Sequence, residues 1–307
     1  MNRLIIILSL GLISYITVFT PASAQPHPTL KDGTQSLKIW QDSLKKLSER
    51  VAHGEIGPER YNANYTLIKT LVSALKSPHS FQYGFDSLKS ISITQSADGR
   101  FRLFTWHVLN DDGSYRYYGT IQMNSTDDKL KLYPLIDYTP NLKHPTDTIT
   151  TNDQWYGAQY YKIIPVTTDA STPYYILLGW KGNTIKTTKK IIDILYFKDN
   201  KAYFGMPIFS GGNYANKKRI IFEYTSSSTM MLNYLPEQEL IVFDHLAPKD
   251  EKLVGKPEFY GPDMSYDGFK LAHGQCKFIQ DIPLKNPPSD QDDQFIAPKK
   301  AIKNNRR

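Results

Sequence analysis

From Phe81 onward, apolar residues recur at every second position, and the pattern persists for nearly the rest of the chain. A period of two is the repeat of a strand whose alternate side chains face opposite ways, so most of this sequence is suited to β-structure. In 115–123, Tyr115, Tyr117, Ile121 and Met123 fall on one face with mostly polar residues between them, giving one buried and one wet side. Asn110-Asp111-Asp112-Gly113 separates this stretch from a strand at 101–109, and Asp98-Gly99 makes the turn before that. Further strands are expected at 129–137, 159–166, 174–180, 191–197, 202–206, 219–225, 230–234, 240–246, 268–272 and 276–282. Links this short imply antiparallel pairing, because a parallel crossover needs a helix and none is readable here. Ile220, Ile221 and Phe222, like Leu240, Ile241, Val242 and Phe243, are apolar on both faces and are expected in interior strands.

Upstream the period is helical. Leu37, Trp40, Leu44, Leu47 and Val51 recur at alternating spacings of three and four, with Thr34 placed to cap the start and Gly54 the end. Pro58 stands where a second helix would open. That helix carries Tyr61, Tyr65, Ile68, Val72 and Leu75 on one side and stops before Pro78. The expected fold is therefore mainly β (α+β). An N-terminal helical hairpin precedes a long antiparallel β meander, barrel-like or sandwiched. A small β-propeller is the alternative, disfavoured because no blade-length repeat is visible.

The first residues carry an address. Arg3 precedes an apolar run over 4–19, and Ala22-Ser23-Ala24 gives the small-x-small pattern of a cleavage site before Gln25. The expected organisation is a signal peptide at 1–24, a helical hairpin region at 25–78, an antiparallel β domain at 79–286 and a flexible charged tail at 287–307. No second apolar segment of spanning length follows, so no transmembrane anchor is expected after cleavage. The only cysteine, Cys276, is far from the cleavage site and cannot serve as a lipid-attachment residue there. These features point to an exported protein, periplasmic or extracellular and not a lipoprotein. A lone cysteine also forms no intrachain disulfide, and its alternation with Phe278 suits a packed thiol.

The formal charge is +7, from 37 lysines and arginines against 30 acids, but the cations are spread along the chain and cluster only at Lys299, Lys300, Lys303, Arg306 and Arg307. With export, this argues against a nucleic-acid partner. His-Glu-x-x-His, Gly-x-Ser-x-Gly, phosphate-cradling glycine loops and Cys-x-x-Cys are all missing from the sequence. Ser210 lies among glycines in Phe209-Ser210-Gly211-Gly212-Asn213, where ordinary turn chemistry is the better reading than a nucleophile or an anion nest.

The densest polar region is 243–248 followed by 259–268. Asp244 and His245 are the candidate proton-transfer pair, provided the strand ends or bulges so that neighbours share a face. Asp263 and Asp267 are the candidate metal ligands, for which calcium would be the fitting ion; no other cofactor is expected. Gly-Pro-Asp and Tyr-Asp-Gly are also strong turn formers, and this reading is preferred. A third possibility is aromatic. Trp106, Trp155, Trp180, Tyr117, Tyr118, Tyr160, Tyr161, Tyr174 and Tyr175 supply rings that stack on sugars, although aromatic residues also simply suit strands.

Four stretches carry a resemblance: Ser96-Ala97-Asp98-Gly99-Arg100-Phe101 continuing to Trp106, Lys218-Arg219-Ile220-Ile221-Phe222-Glu223-Tyr224, Ile241-Val242-Phe243-Asp244-His245-Leu246-Ala247-Pro248, and 259–268. Together they resemble uncharacterised exported proteins of Bacteroidota-type bacteria. Such proteins more often have tryptophan at the place of Cys276. The resemblance supports the address and implies no catalytic residues. The functional expectation is an exported, non-catalytic binding or structural module of the cell envelope or exterior, with a glycan or an envelope protein as partner. Its alternative is a hydrolase or metal-dependent enzyme centred on Asp244, His245, Asp263 and Asp267.

Overall fold

The computed structural model describes residues 33–125, 129–166 and 173–283. The expected signal peptide at 1–24 and charged tail at 287–307 lie outside the described residues. Two helices open the described chain, α1 (Gly33–His53) and α2 (Gly57–Leu75). Helix α1 starts at Gly33, so Thr34 falls inside it, and it ends one residue before Gly54. Pro58 sits in the first turn of α2, where its missing N–H is no loss.

Three sheets follow. The first is a meander of β1 (Ser92–Gln95), β2 (Phe101–Leu109), β3 (Tyr115–Met123) and β4 (Leu132–Ile136). The second, central sheet holds β5 (Thr150–Thr151), β6 (Gln159–Val166), β7 (Tyr174–Gly182), β8 (Thr187–Lys198) and β9 (Lys201–Phe204). The third takes the short β10 (Phe209–Ser210), and β11 (Ile220–Thr225) returns to pair with β8 of the central sheet. Then β12 (Leu232–Leu235), β13 (Leu240–Pro248), β14 (Tyr260–Ala272) and β15 (Gln275–Ile279) complete the third sheet. Ladders between strands are antiparallel except for the two-residue match of β10 with β15. No barrel closes; the sheets stack as a sandwich.

Alternation in the strands builds three cores between four layers. Even-numbered Phe104, Trp106 and Val108 of β2 face the helices, where they meet Leu44, Leu67 and Leu71. Odd-numbered Phe101 and Leu103 face the central sheet and pack with Tyr175, Leu177, Ile191 and Leu195. The opposite face of that sheet, with Ile176, Leu178, Ile192 and Ile194, packs on Ile241, Phe243 and Phe269 of the third. A sheet covered on both sides must be apolar on both faces, which accounts for the apolar runs of β7 and, apart from the paired Asp193, of β8.

Several expectations are corrected. The buried stripe of α2 runs through Ala63, Asn64, Leu67, Leu71 and Ala74, while Tyr61 and Tyr65 are exposed. Small alanines let the helix approach closely, and its buried polar groups have partners. The Trp106 Nε1–H donates to Asn64 Oδ1 at 2.7 Å, and Arg60 Nε–H donates to the Leu109 carbonyl at 2.8 Å. The run 260–268 is no chain reversal; it belongs to the thirteen-residue β14. Its turn chemistry is spent locally, with Met264 at φ 74° and Asp263 Oδ1 accepting from the Ser265 N–H and Oγ–H, so it bends the strand instead of reversing it. Finally, β13 is interior as expected, but β11 pairs only with β8 among the described strands and owes its apolar character to the core beneath it.

Arg219 anchors the irregular loop before β5. Its guanidinium is fully buried and meets Asp193 at 3.1 Å, and it also donates to the carbonyls of Pro145, Thr148 and Phe204. Asp193 is satisfied on its other oxygen by the Tyr160 hydroxyl at 3.0 Å. A buried ion pair persists only with such additional hydrogen bonds.

Candidate functional site

The side chains of greatest functional interest lie at one end of the central sheet, on the face turned toward the third sheet. Cross-strand neighbours fix them: Trp180 of β7 stands opposite Lys190 of β8, and Gly182 opposite Thr188, which in turn stands opposite Tyr224 of β11. From the first sheet, Tyr115 at the start of β3 reaches over to this end. Its ring meets that of Trp180 at 5.6 Å and 89°. The result is a cleft of about 310 Å³, in the lower range of small-molecule sites. Trp180 and Tyr115 form one wall, Tyr224 lies beneath, and Thr184, Ser226, Ser228 and Thr229 give a hydroxyl rim.

The aromatic wall is held in place. His107 packs edgewise on Tyr115 at 5.3 Å and against Trp180 at 5.4 Å, and its Nδ1 is 3.0 Å from Gln159 Oε1. Burial lowers the His107 pKa despite the opposing Gln159 hydrogen bond, so the ring is a neutral packing partner at physiological pH. Gly182 is needed because a Cβ there would come within 2.4 Å of Tyr115 Cε2. Tyr161, the extra residue at the register shift between Tyr160 and Lys162, places its ring 4.7 Å from Lys190 Nζ and donates its hydroxyl to the Leu232 carbonyl at 2.9 Å.

Several donors in this cleft are uncommitted. Among the described residues, no hydrogen bond engages Trp180 Nε1, the hydroxyls of Tyr115, Ser228 and Thr229, or Lys190 Nζ. Polar groups at the rim that lack a protein partner are free to receive a ligand.

The other rings of the expected aromatic surface are mostly core. Trp106, Trp155, Tyr117, Tyr160, Tyr174 and Tyr175 are buried, and Tyr118 stacks on Trp106 at 6.0 Å on the helical side. Only Trp180 and Tyr161 belong to the neighbourhood of the cleft.

The acidic region is arranged differently from its sequence spacing. A register shift between Asp244 and Leu246 does interrupt β13, yet the two neighbours diverge. Asp244 Oδ2 accepts the Met231 N–H at 2.6 Å, whereas His245 Nδ1 meets Asp267 Oδ2 at 2.7 Å. Asp267 is buried and its second oxygen accepts the Asp281 N–H at 3.1 Å, while the His245 side chain is 39% exposed. The Asp267 hydrogen bond raises the His245 pKa above its ordinary value, against partial desolvation. Asp263 is exposed and committed to Ser265. Among the described residues, no group of three or more histidine, cysteine or acidic side chains is gathered where it would hold a metal ion.

Ser210 is exposed on its two-residue strand, beside Gly211 and Gly212, whose positive φ angles of 87° and 53° turn the chain over Phe278. Cys276 is fully buried in the core against the third sheet, and desolvation pushes its thiol up to about 12, so it is not a nucleophile.

Tyr115, Lys190, Tyr224 and the hydroxyl rim were not legible as a site in the sequence. The usable signal was the hydroxyl-rich composition of both 183–188 and 225–229, which the pairing of Thr187 with Thr225 brings together. Comparison with family models, curated proteins and solved structures finds no match for the chain.

Proposed function

We propose that this protein is an exported, non-catalytic binding module of the cell envelope or exterior, and that it holds a glycan in the cleft beside Trp180. The observation that carries the reading is the conjunction of a held aromatic wall with uncommitted hydroxyl, indole and ammonium donors. Sugars present apolar C–H faces to rings and hydroxyls to hydrogen-bonding rims, and a site for them needs both. The signal-like residues 1–24 and the resemblance to exported Bacteroidota-type proteins support the location. Among the described residues no helix is long and apolar enough to cross a membrane.

The test is thermal unfolding of the protein with cell-wall and plant-type oligosaccharides. A ligand that binds only the native state adds about 2.7 kcal/mol at a hundredfold excess over its Kd. Trp180→Ala is expected to remove that shift while leaving the ligand-free midpoint within a few degrees. A shift that survives in Trp180→Ala would place the glycan elsewhere; no shift with any glycan would leave an envelope protein as the partner to seek.

One observation favours the enzymatic alternative, the partly exposed His245 imidazole oriented by buried Asp267. Such a pair is half of a general-base arrangement. Hydrolysis of a chromogenic glycoside or ester panel, lost in His245→Ala but retained in Trp180→Ala, would move the function there.

A further inference from the structure

We infer that the cleft selects an acidic sugar, one whose ring carries an anionic group, and that Lys190 is the residue that reads the charge. This inference rests on the glycan reading of the same cleft. It follows from how charge is distributed across the two faces of β8. Lys189 faces the opposite side of the sheet, where it meets Glu223 at 3.2 Å. Lys190, one residue on, faces the cleft; among the described residues its ammonium has no carboxylate or hydrogen-bond partner, and it lies 4.7 Å from the centre of the Tyr161 ring.

Among the described residues, no aspartate or glutamate lines the cleft. The acids on its own and neighbouring strands are engaged away from Lys190, Asp193 of β8 by the buried Arg219 guanidinium. Glu223 is held by Lys189 and by the hydroxyl of Thr187 at 2.8 Å, and Asp244 by the Met231 amide. A neutral sugar would find enough donors in the hydroxyls and the indole N–H. A half-buried ammonium beside them is unnecessary for it and costly to desolvate without a counter-charge. Burial lowers the Lys190 pKa, the cost of holding that cation without an anion. A carboxylate, sulfate or phosphate on a sugar would relieve it, and the aromatic wall would take the ring. The Tyr161 face keeps the ammonium in place between binding events through a cation–π contact.

The experiment measures calorimetric Kd values for three probes: a tri-galacturonate, its fully methyl-esterified form, and a sulfated neutral trisaccharide. The first pair shares one sugar backbone and differs at each carboxyl group, charged in the acid and capped by a neutral methyl ester in its partner. The acid is expected to bind at least tenfold more tightly than the ester, with the advantage shrinking as salt rises. Lys190→Gln is expected to equalise acid and ester, while Lys190→Arg keeps the preference. Tighter binding of the sulfated sugar than of galacturonate identifies the anion as an ester of an inorganic acid and supports the inference equally. Equal affinity of acid and ester in the wild type, with both lost in Trp180→Ala, overturns the charge selection and leaves the glycan site standing. An acid preference that persists in Lys190→Gln overturns the role of Lys190, and no binding of any probe, neutral glycans included, overturns both readings. Unchanged unfolding midpoints of the Lys190 variants exclude misfolding as the cause.

Discussion

Lys181, one residue beyond the cleft tryptophan and on the opposite face of β7, makes the stability of this protein depend on pH. Its side chain is 3% exposed, sandwiched by the rings of Tyr117 at 4.1 Å and Tyr156 at 4.7 Å, and it donates to the Gly157 carbonyl and to Thr139 Oγ1. Among the described residues no carboxylate pairs with it; the nearby Asp137 accepts from the Tyr117 and Thr139 amides. Desolvation therefore outweighs the attraction of Asp137 and lowers its pKa from 10.5 to about 7. In the unfolded chain the amine is solvated and titrates near its ordinary value. Below pH 7 both states are protonated and the folded state carries the full penalty. Between about 7 and 10.5 the unfolded state binds one more proton, so stability rises with pH by about 1.4 kcal/mol per unit, to a total near 5 kcal/mol. Urea unfolding of the wild type and Lys181→Met from pH 6 to 9.5 isolates this, because all other groups titrate alike in both. The wild-type stability minus that of the variant is expected to be flat near pH 6 and then climb at that slope. A difference that stays level through pH 9.5 would refute the reasoning, since the amine would then be charged in both states throughout.

Two further outcomes are expected. The His245 imidazole, raised by Asp267, adds stability that is fully present below the unfolded histidine pKa and lost as pH rises through the raised folded value. A proton-NMR titration should place the His245 midpoint above that of free histidine and bring it down in Asp267→Asn; an identical midpoint in the two proteins would break the link. Gly182→Ala should push the Tyr115 ring off the strand, since its ring atoms lie 2.4 to 2.7 Å from the added Cβ, and so weaken glycan binding at least tenfold while the protein stays folded. Unaltered affinity would mean that Tyr115 is no part of the wall.

Period-two patterning was sufficient where one sheet face met one kind of neighbour. The strands β2, β3 and β6 begin and end where alternation and turn residues place them, because each boundary is local. Patterning misled where a distant partner decided the matter. Tyr61 and Tyr65 look like the apolar side of α2, but helix packing buried the slimmer Ala63 and Ala74 side, and Tyr65 took the Lys69 ammonium at 4.1 Å instead. Tyr-Asp-Gly at 266–268 has the chemistry of a turn, yet β13 pairs with 266–270 and, beyond a register shift, with 260–262, and so holds the strand extended there. His245 found Asp267, twenty-two residues away, in preference to its neighbour Asp244 for the same reason. The cleft was beyond reach in principle. Its residues come from β3, β7, the β7–β8 link, β8, β11 and the link after it, and only sheet pairing and stacking make them neighbours.

The position of the cleft has a cause in the strand rows. Along the face of the central sheet turned to the third, the opposed triplets run Leu178, Ile192 and Ile220, then Trp180, Lys190 and Phe222, then Gly182, Thr188 and Tyr224. The first row is wholly aliphatic and sealed by Ile241 and Phe243. By the third row the cover is no longer a strand but the link between β11 and β12, which contributes Ser228 and Thr229. Packing alone would extend the aliphatic row until cover ran out, since apolar area removed from water gives about 25 cal/mol per Å². In the second row the sequence instead places an indole N–H and an ammonium that have no hydrogen-bond or carboxylate partner among the described residues. Local rules of consistency are broken at functional sites more than elsewhere, and here the break falls in the row next to the one where the strand cover gives way to the link between β11 and β12. A chain selected only to fold has no use for Lys190 at that position, whereas a chain selected to hold an anionic ring has a use for both it and Trp180.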